Sequence, residues 1–126
     1  MVDITPELPG ERQVIQAYGE GRFRISDVVH EGSVIVLPER TLAWSAPPPE
    51  AMTVESLAAV LEAEPRIELL LLGCGRRAAT LAGPLRQALR ARSIAVEVMD
   101  TGAACRTYNV LAAEERRVAA ALIAIV

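Results

Sequence analysis

The run Ile67-Glu68-Leu69-Leu70-Leu71-Leu72 constrains this chain more than any other segment. It does not alternate between apolar and polar residues, so it cannot present one dry and one wet face. A strand of this kind has to be covered on both sides, as happens in parallel sheets flanked by helices. Gly73-Cys74-Gly75 breaks the run. The residues through Pro84 to Arg92 then predict a helix, with Pro84 in the first turn, where its missing N–H is not needed. Ile94 to Met99 predicts a second strand, and Thr101 to about Glu114 a helix. Val118 to Val126 is Ala-rich but β-branched toward its end and reads as a last strand. This alternation implies right-handed crossovers and a partly parallel sheet.

The first half reads differently. Residues 1–12 combine prolines, Gly10 and charges and read as a loose arm. Val14 to Tyr18 is a strand, Gly19-Glu20-Gly21 a turn, and Phe23 and Ile25 alternate with Arg22, Arg24 and Ser26 as in a half-buried strand. Ser33 to Leu37 is a buried-type strand ended by Pro38, and Thr41 to Trp44 a short one ended by Pro47-Pro48-Pro49. Thr53 is an N-cap for a helix that places Leu57, Val60 and Leu61 on one face and closes at Pro65; Ser56 stands where a capping box prefers Glu. The expectation is an α/β chain with one domain over 13–126, β-rich in its N-terminal half.

Composition narrows the partners. One Phe, one Trp and two Tyr are too few for a single-stranded nucleic-acid platform, and a net charge of −3 repels a phosphate backbone. No nucleic acid is expected as a partner. All 13 basic residues are Arg, which genomic base composition explains. The N-terminus shows no basic segment followed by an apolar run, and no apolar stretch reaches the roughly 18 residues that span a bilayer. A cytoplasmic location is expected, with Cys74 and Cys105 as reduced thiols.

Chemistry in parallel sheets gathers at the carboxyl ends of strands. Two such ends are legible, Gly73-Cys74-Gly75-Arg76-Arg77 and Asp100-Thr101 through Cys105 and Arg106, with Tyr108 nearby. If their strands are neighbours, both loops line one crevice. The glycine-arginine loop suits an anion, through backbone N–H groups and guanidinium forks, or it is simply a tight strand-to-helix turn. Asp100 or Thr101 can cap the third helix, and an Asp100–Arg106 contact is the structural alternative for Arg106. Cys105 near a helix start invites a lowered pKa, but the single His30 lies in the other half of the chain. The thiols lie in no Cys-x-x-Cys motif, and two Cys with one His lack zinc-ligand spacing, so neither a metal nor a cofactor is expected. Trp44, beside the proline triplet, is a core residue or an exposed patch for a partner.

Four stretches, Tyr18 to Ile25, Gly32 to Pro38, Ile67 to Gly75 and Asp100 to Glu114, resemble the complex I assembly factor 3 family. The last stretch is the most specific, and the resemblance runs from about Gln13 to Ile123. It implies a three-layer β/β/α-type fold with a mixed central sheet and an extra β-layer from the N-terminal half. It also implies protein partners in the biogenesis of a membrane-bound respiratory complex, reached peripherally at the inner membrane. The family offers no established catalytic residues. Asp100, Thr101, Ala104, Arg106, Thr107 and Asn109 match its signature. Cys74 stands where the family often has Thr, and Ser93 and Glu115 where Gly is common, which calls the left-handed turns there into question. The reading is a non-catalytic assembly or interaction factor. The alternative is an anionic small-molecule site, or an enzyme, in the crevice between loops 73–77 and 100–106.

Overall fold

A computed structural model describes residues 1–6 and 12–126. The first sheet is a four-stranded antiparallel meander of β1 (Val2–Asp3), β2 (Ile15–Gly19), β3 (Arg22–Ile25) and β4 (Val28–Glu31). Two-residue turns join its last three strands, Glu20-Gly21 and Ser26-Asp27, all four residues at positive φ. That is the geometry whose twist matches paired strands. The loose arm expected over 1–12 is in part a strand: Val2 and Asp3 pair with Tyr18 and Ala17, while residues 7–11 lie outside the described residues. β4 went unassigned in the sequence because it does not alternate in burial. It is an edge strand whose Val28 and Val29 face solvent.

The second sheet runs in the order β6-β5-β9-β7-β8, from β5 (Val34–Val36), β6 (Thr41–Ala43), β7 (Leu69–Gly73), β8 (Ala95–Met99) and β9 (Val118–Leu122). β7 is parallel to both neighbours, β8 and β9, whereas β5 is antiparallel to β9 and β6. The leucine run thus lies beside a strand on each side. Its alternate residues serve two cores. Leu70 and Leu72 join Ile35, Ala119 and Ala121 under helices α1 (Ala58–Leu61) and α2 (Gly83–Ala91). Leu71 joins Val34, Val36, Ala120 and Leu122 under α3 (Thr101–Ala113) and the meander. The result is three layers: α1 and α2, the mixed five-stranded sheet, and the meander with α3.

The helix expected from Thr53 to Pro65 shrinks to a 3-10 turn over Glu55–Leu57 and the four residues of α1. Thr53 and Ser56 do cap each other, each side-chain oxygen accepting the other's backbone N–H at 3.3 Å. The Ser56 hydroxyl also donates to the Thr53 carbonyl at 2.6 Å, and such local bonds compete with helical ones. The two long helices end in left-handed turns even without glycine, so the doubt raised by Ser93 and Glu115 does not hold. Ser93 and Glu115 take φ of 61° and 60°. Ile94 N–H reaches back to the Leu89 carbonyl and Arg116 N–H to that of Leu111, the Schellman arrangement at both ends.

Candidate functional site at the carboxyl ends of the parallel strands

β7 and β8 pair with Gly73 opposite Met99, which meets the condition for the two loops to lie together. α2 leaves toward one face of the sheet and α3 toward the other, the point at which a doubly wound sheet opens a crevice. Thr101 occupies that point and is fully buried. Its hydroxyl accepts the Gly75 N–H at 2.8 Å and donates to the Ile123 carbonyl at 2.7 Å. Its backbone N–H donates to the Gly75 carbonyl at 2.8 Å, and Cys74 N–H to that of Met99 at 2.9 Å. Gly73 permits this approach: a Cβ there would lie 2.9 Å from Thr101 Cα and 3.1 Å from Leu122 Cδ2. The polar groups of Gly75 and Thr101 are therefore satisfied by one another and by the Ile123 carbonyl just past β9.

Asp100 caps α3, its Oδ1 accepting the Ala103 N–H at 2.8 Å. Arg106 does not pair with Asp100. It is exposed, and its Nη1 donates to the Tyr18 hydroxyl at 3.2 Å. Gly102 makes the seat for this contact, because a Cβ there would sit 2.6 Å from Tyr18 Oη. Tyr18 and Gly102 were not singled out as site residues in the sequence. The available signal was Gly102 itself, a glycine in a helix, which costs about 1 kcal/mol against Ala and therefore marks close packing.

The other signature residues point inward. Cys105 is buried, and burial pushes its thiol up to about 12, with the nearby Arg106 charge acting weakly the other way. The lowered pKa invited by a helix start is overturned, since desolvation outweighs the local field. Burial also raises the half-buried Cys74 thiol. Tyr108 is buried, donates to the Leu37 carbonyl at 3.3 Å, and its phenol is raised by burial. Asn109 bridges to the meander: its Oδ1 accepts the Ile15 N–H at 3.0 Å and its Nδ2 donates to the Ile15 carbonyl at 2.8 Å. Thr107 is half-buried beside them. Trp44 is 9% exposed, packs in the α1–α2 core and donates its Nε1 to the Ser56 carbonyl at 2.7 Å, so of its two readings the core holds and the exposed patch does not.

Arg76 and Arg77 are exposed; Arg76 donates to the Val126 carbonyl at 2.6 Å. An open groove of about 500 Å³ passes between Tyr18, Glu20 and Arg76. His30 lies on β4, in the sheet away from the β7 end that carries Cys74. Among the described residues no three His, Cys, Asp or Glu come together as a metal site, and no helix is long and apolar enough to cross a membrane.

Fold and site together define a small doubly wound α/β domain with a β-meander packed on one face, its signature helix serving mainly to bind the layers. The family described as "Protein of unknown function (DUF498/DUF598)" matches residues 15–123, and this chain belongs to it. Similar proteins include NADH dehydrogenase (ubiquinone) 1 alpha subcomplex assembly factor 3 of Danio rerio, 42% identical over 97% of this chain and 70% of that protein. The Homo sapiens protein of the same name is 38% identical over 97% of this chain and 66% of its own length. The chain thus spans about two thirds of these relatives. A crystal structure described as an outer membrane protein from Bartonella henselae superposes with a TM-score of 0.82 at 39% identity, covering 95% of this chain and all of that one.

Proposed function

We infer that this protein is an assembly or interaction factor for a membrane-bound respiratory complex of the NADH dehydrogenase type. It acts by binding protein partners, from the cytoplasmic side and peripherally to the membrane. The kinship with proteins that carry the assembly-factor name supports the biological context. The observation that carries the mechanism is the direction in which the signature points. Thr101, Tyr108 and Asn109 spend their polar groups on the fold, so α3 offers solvent a stripe that begins at Arg106 and continues one turn on at Val110, which is 59% exposed. An exposed guanidinium beside an exposed aliphatic side chain is the make-up of a protein contact. The reading places the partner against Arg106, Thr107 and Val110, with Tyr18 at the rim.

The test is deletion of the gene from a host with a proton-pumping NADH dehydrogenase, followed by complementation. Assembled enzyme is read on native gels by in-gel NADH oxidation. Loss in the deletion strain, restored by the wild type but not by Arg106→Glu with Val110→Glu, is the expected result, the variant protein being shown folded by circular dichroism. Undiminished assembly after deletion removes the assembly reading. Full rescue by the double variant removes the α3 surface.

A further inference from the structure

β8 closes one side of the five-stranded sheet, and among the described residues no strand pairs with its outer edge. In a parallel ladder, the backbone groups of alternate residues face one neighbour. Ala95 N–H donates to the Glu68 carbonyl and the Met99 carbonyl accepts from Cys74, so the odd-numbered residues of β8 face β7. The backbone N–H and carbonyl groups of Val96 and Val98 therefore face outward. Protected edges carry a bulge, a proline or a covering segment. β8 carries only Glu97, at its centre.

The surroundings of this edge are basic. α2 and the turn that leads into β8 carry Arg86, Arg90 and Arg92, with no Asp or Glu from residue 83 to residue 96, in a chain whose net charge is −3. Among the described residues none of these three has an ion-pair partner; the pairs found are Arg24 with Asp3, and Arg22 and the Met1 amine with Glu20. Arg86 and Arg90 stand one turn apart on α2, where like charges repel. Together with Ser93 and residues 94–96 they line a groove of about 350 Å³ that runs beside the free edge.

We propose that an extended, acidic peptide segment of a partner protein adds to β8 as a sixth strand, with its carboxylates on Arg86 and Arg90. Strand addition takes its affinity from main-chain bonds and its specificity from alternate side chains. The faces of β8 set the pattern. Val96 and Val98 pack with the α1–α2 core, whereas Met99 packs on the α3 side, which Glu97 shares by alternation. The docked strand accordingly bears acids at every second residue, toward α2, and neutral or basic residues between them, beside Glu97. A second copy of this chain is a poor occupant. Pairing β8 with its own twofold mate sets the two α2 helices side by side on one face, arginines against arginines. The inference rests on the edge and its charges and is independent of the assembly reading.

Two labelled peptides of about eight residues test it, one alternating Glu with Thr and one with the same residues in blocks of Glu and then Thr. Fluorescence anisotropy is expected to show the alternating peptide binding at least ~10-fold tighter, and weakening as salt rises. Exchange of the Val96 and Val98 amides should slow in the complex. Val98→Pro removes only an outward N–H, which an edge strand tolerates, so it should abolish binding and leave the circular dichroism unchanged. Arg86→Glu with Arg90→Glu should abolish binding as well, and it keeps the test decisive if the proline variant misfolds. Any of four results overturns the proposal: equal affinity for the two peptides, unaltered Val96 and Val98 exchange, binding to phosphatidylserine vesicles without binding to either peptide, or a β8-paired dimer in sedimentation.

Discussion

Asn109→Ala should destabilise the fold by about 3 kcal/mol, for a reason confined to one side-chain amide. β1 pairs with β2 only at Tyr18 and Ala17, and Ile4 N–H reaches the Gln16 carbonyl, so the edge of β2 is uncovered at Ile15. The amide of Asn109 takes over there, accepting from and donating to the backbone of the same residue. Ile15 is fully buried, so truncation strands a donor and an acceptor without water. Each stranded group costs about 1–3 kcal/mol, which brackets the loss at about 2–6; the lower half applies because the site lies near the sheet edge. At about 3–4 °C per kcal/mol for a domain of this size, the melting temperature should fall by about 10 °C. Calorimetry or urea denaturation reads the loss, and hydrogen exchange localises it: amides of β2 and β3 should open before those of β7. Asn109→Asp sharpens the argument. A carboxylate can accept from the Ile15 N–H but opposes the Ile15 carbonyl, so the folded state favours the protonated acid. Its pKa is then raised above the unfolded value of about 3.9, and the variant is most stable below that value and loses stability as pH rises through the folded pKa. A loss under about 1 kcal/mol for the alanine variant, or an aspartate variant more stable at pH 7 than at pH 4, refutes the bridging role.

Three further expectations follow from the same geometry. Gly73→Ala drives a Cβ to within 2.9 Å of the Thr101 backbone, which cannot swing aside, so a loss of about 1–3 kcal/mol is expected in chemical denaturation, with exchange increased at the Gly75 amide. Ser93→Gly and Glu115→Gly should each stabilise by about 0.5–1 kcal/mol, because relief of the left-handed backbone slightly exceeds the added freedom of the unfolded chain; a melting temperature that falls for both refutes this. In thiol labelling of the native protein, Cys74 should react slowly and Cys105 only on unfolding, since burial holds the Cys105 thiol near 12. That raised pKa also means stability declines as pH rises above the unfolded thiol value of about 8.5, so a flat urea midpoint between pH 8 and 10 counts against the buried thiol.

Most of the architecture is legible in the sequence because it is written in local patterns. The unbroken leucine run from Leu69 to Leu72 requires cover on both faces, and it receives both cores. Pro84 marks the first turn of α2, and Asp100 caps α3 through Ala103. The N-cap and apolar spacing of the Thr53 segment are real, but the Ser56 hydroxyl takes the Thr53 carbonyl and the first turn closes as a 3-10 turn, which leaves only four residues to α1. β4 escaped notice because an edge strand in a solvated meander needs no alternation, only a neighbour.

For the candidate site, the sequence identified two segments and could not orient them. That Gly73–Arg77 and Asp100–Arg106 meet depends on β7 and β8 being neighbours in the sheet, as they are. Whether they would hold a crevice open was decided by the packing distance between α3 and β7, which the absent Cβ of Gly73 makes short enough for Thr101 to bond Gly75 and Ile123. The inward turn of Cys105, Tyr108 and Asn109 and the outward turn of Arg106 and Val110 depend on which face of α3 meets the sheet, and a helix with apolar residues around much of its circumference does not announce that face. The contact of Arg106 with Tyr18 joins residues far apart in the chain. The sequence by itself thus determined the family and most of the elements and their order, since each of these is encoded by neighbours along the chain. The tertiary structure alone decided which signature residues hold the layers together and which stay exposed to solvent, because that depends on side chains brought together across the fold.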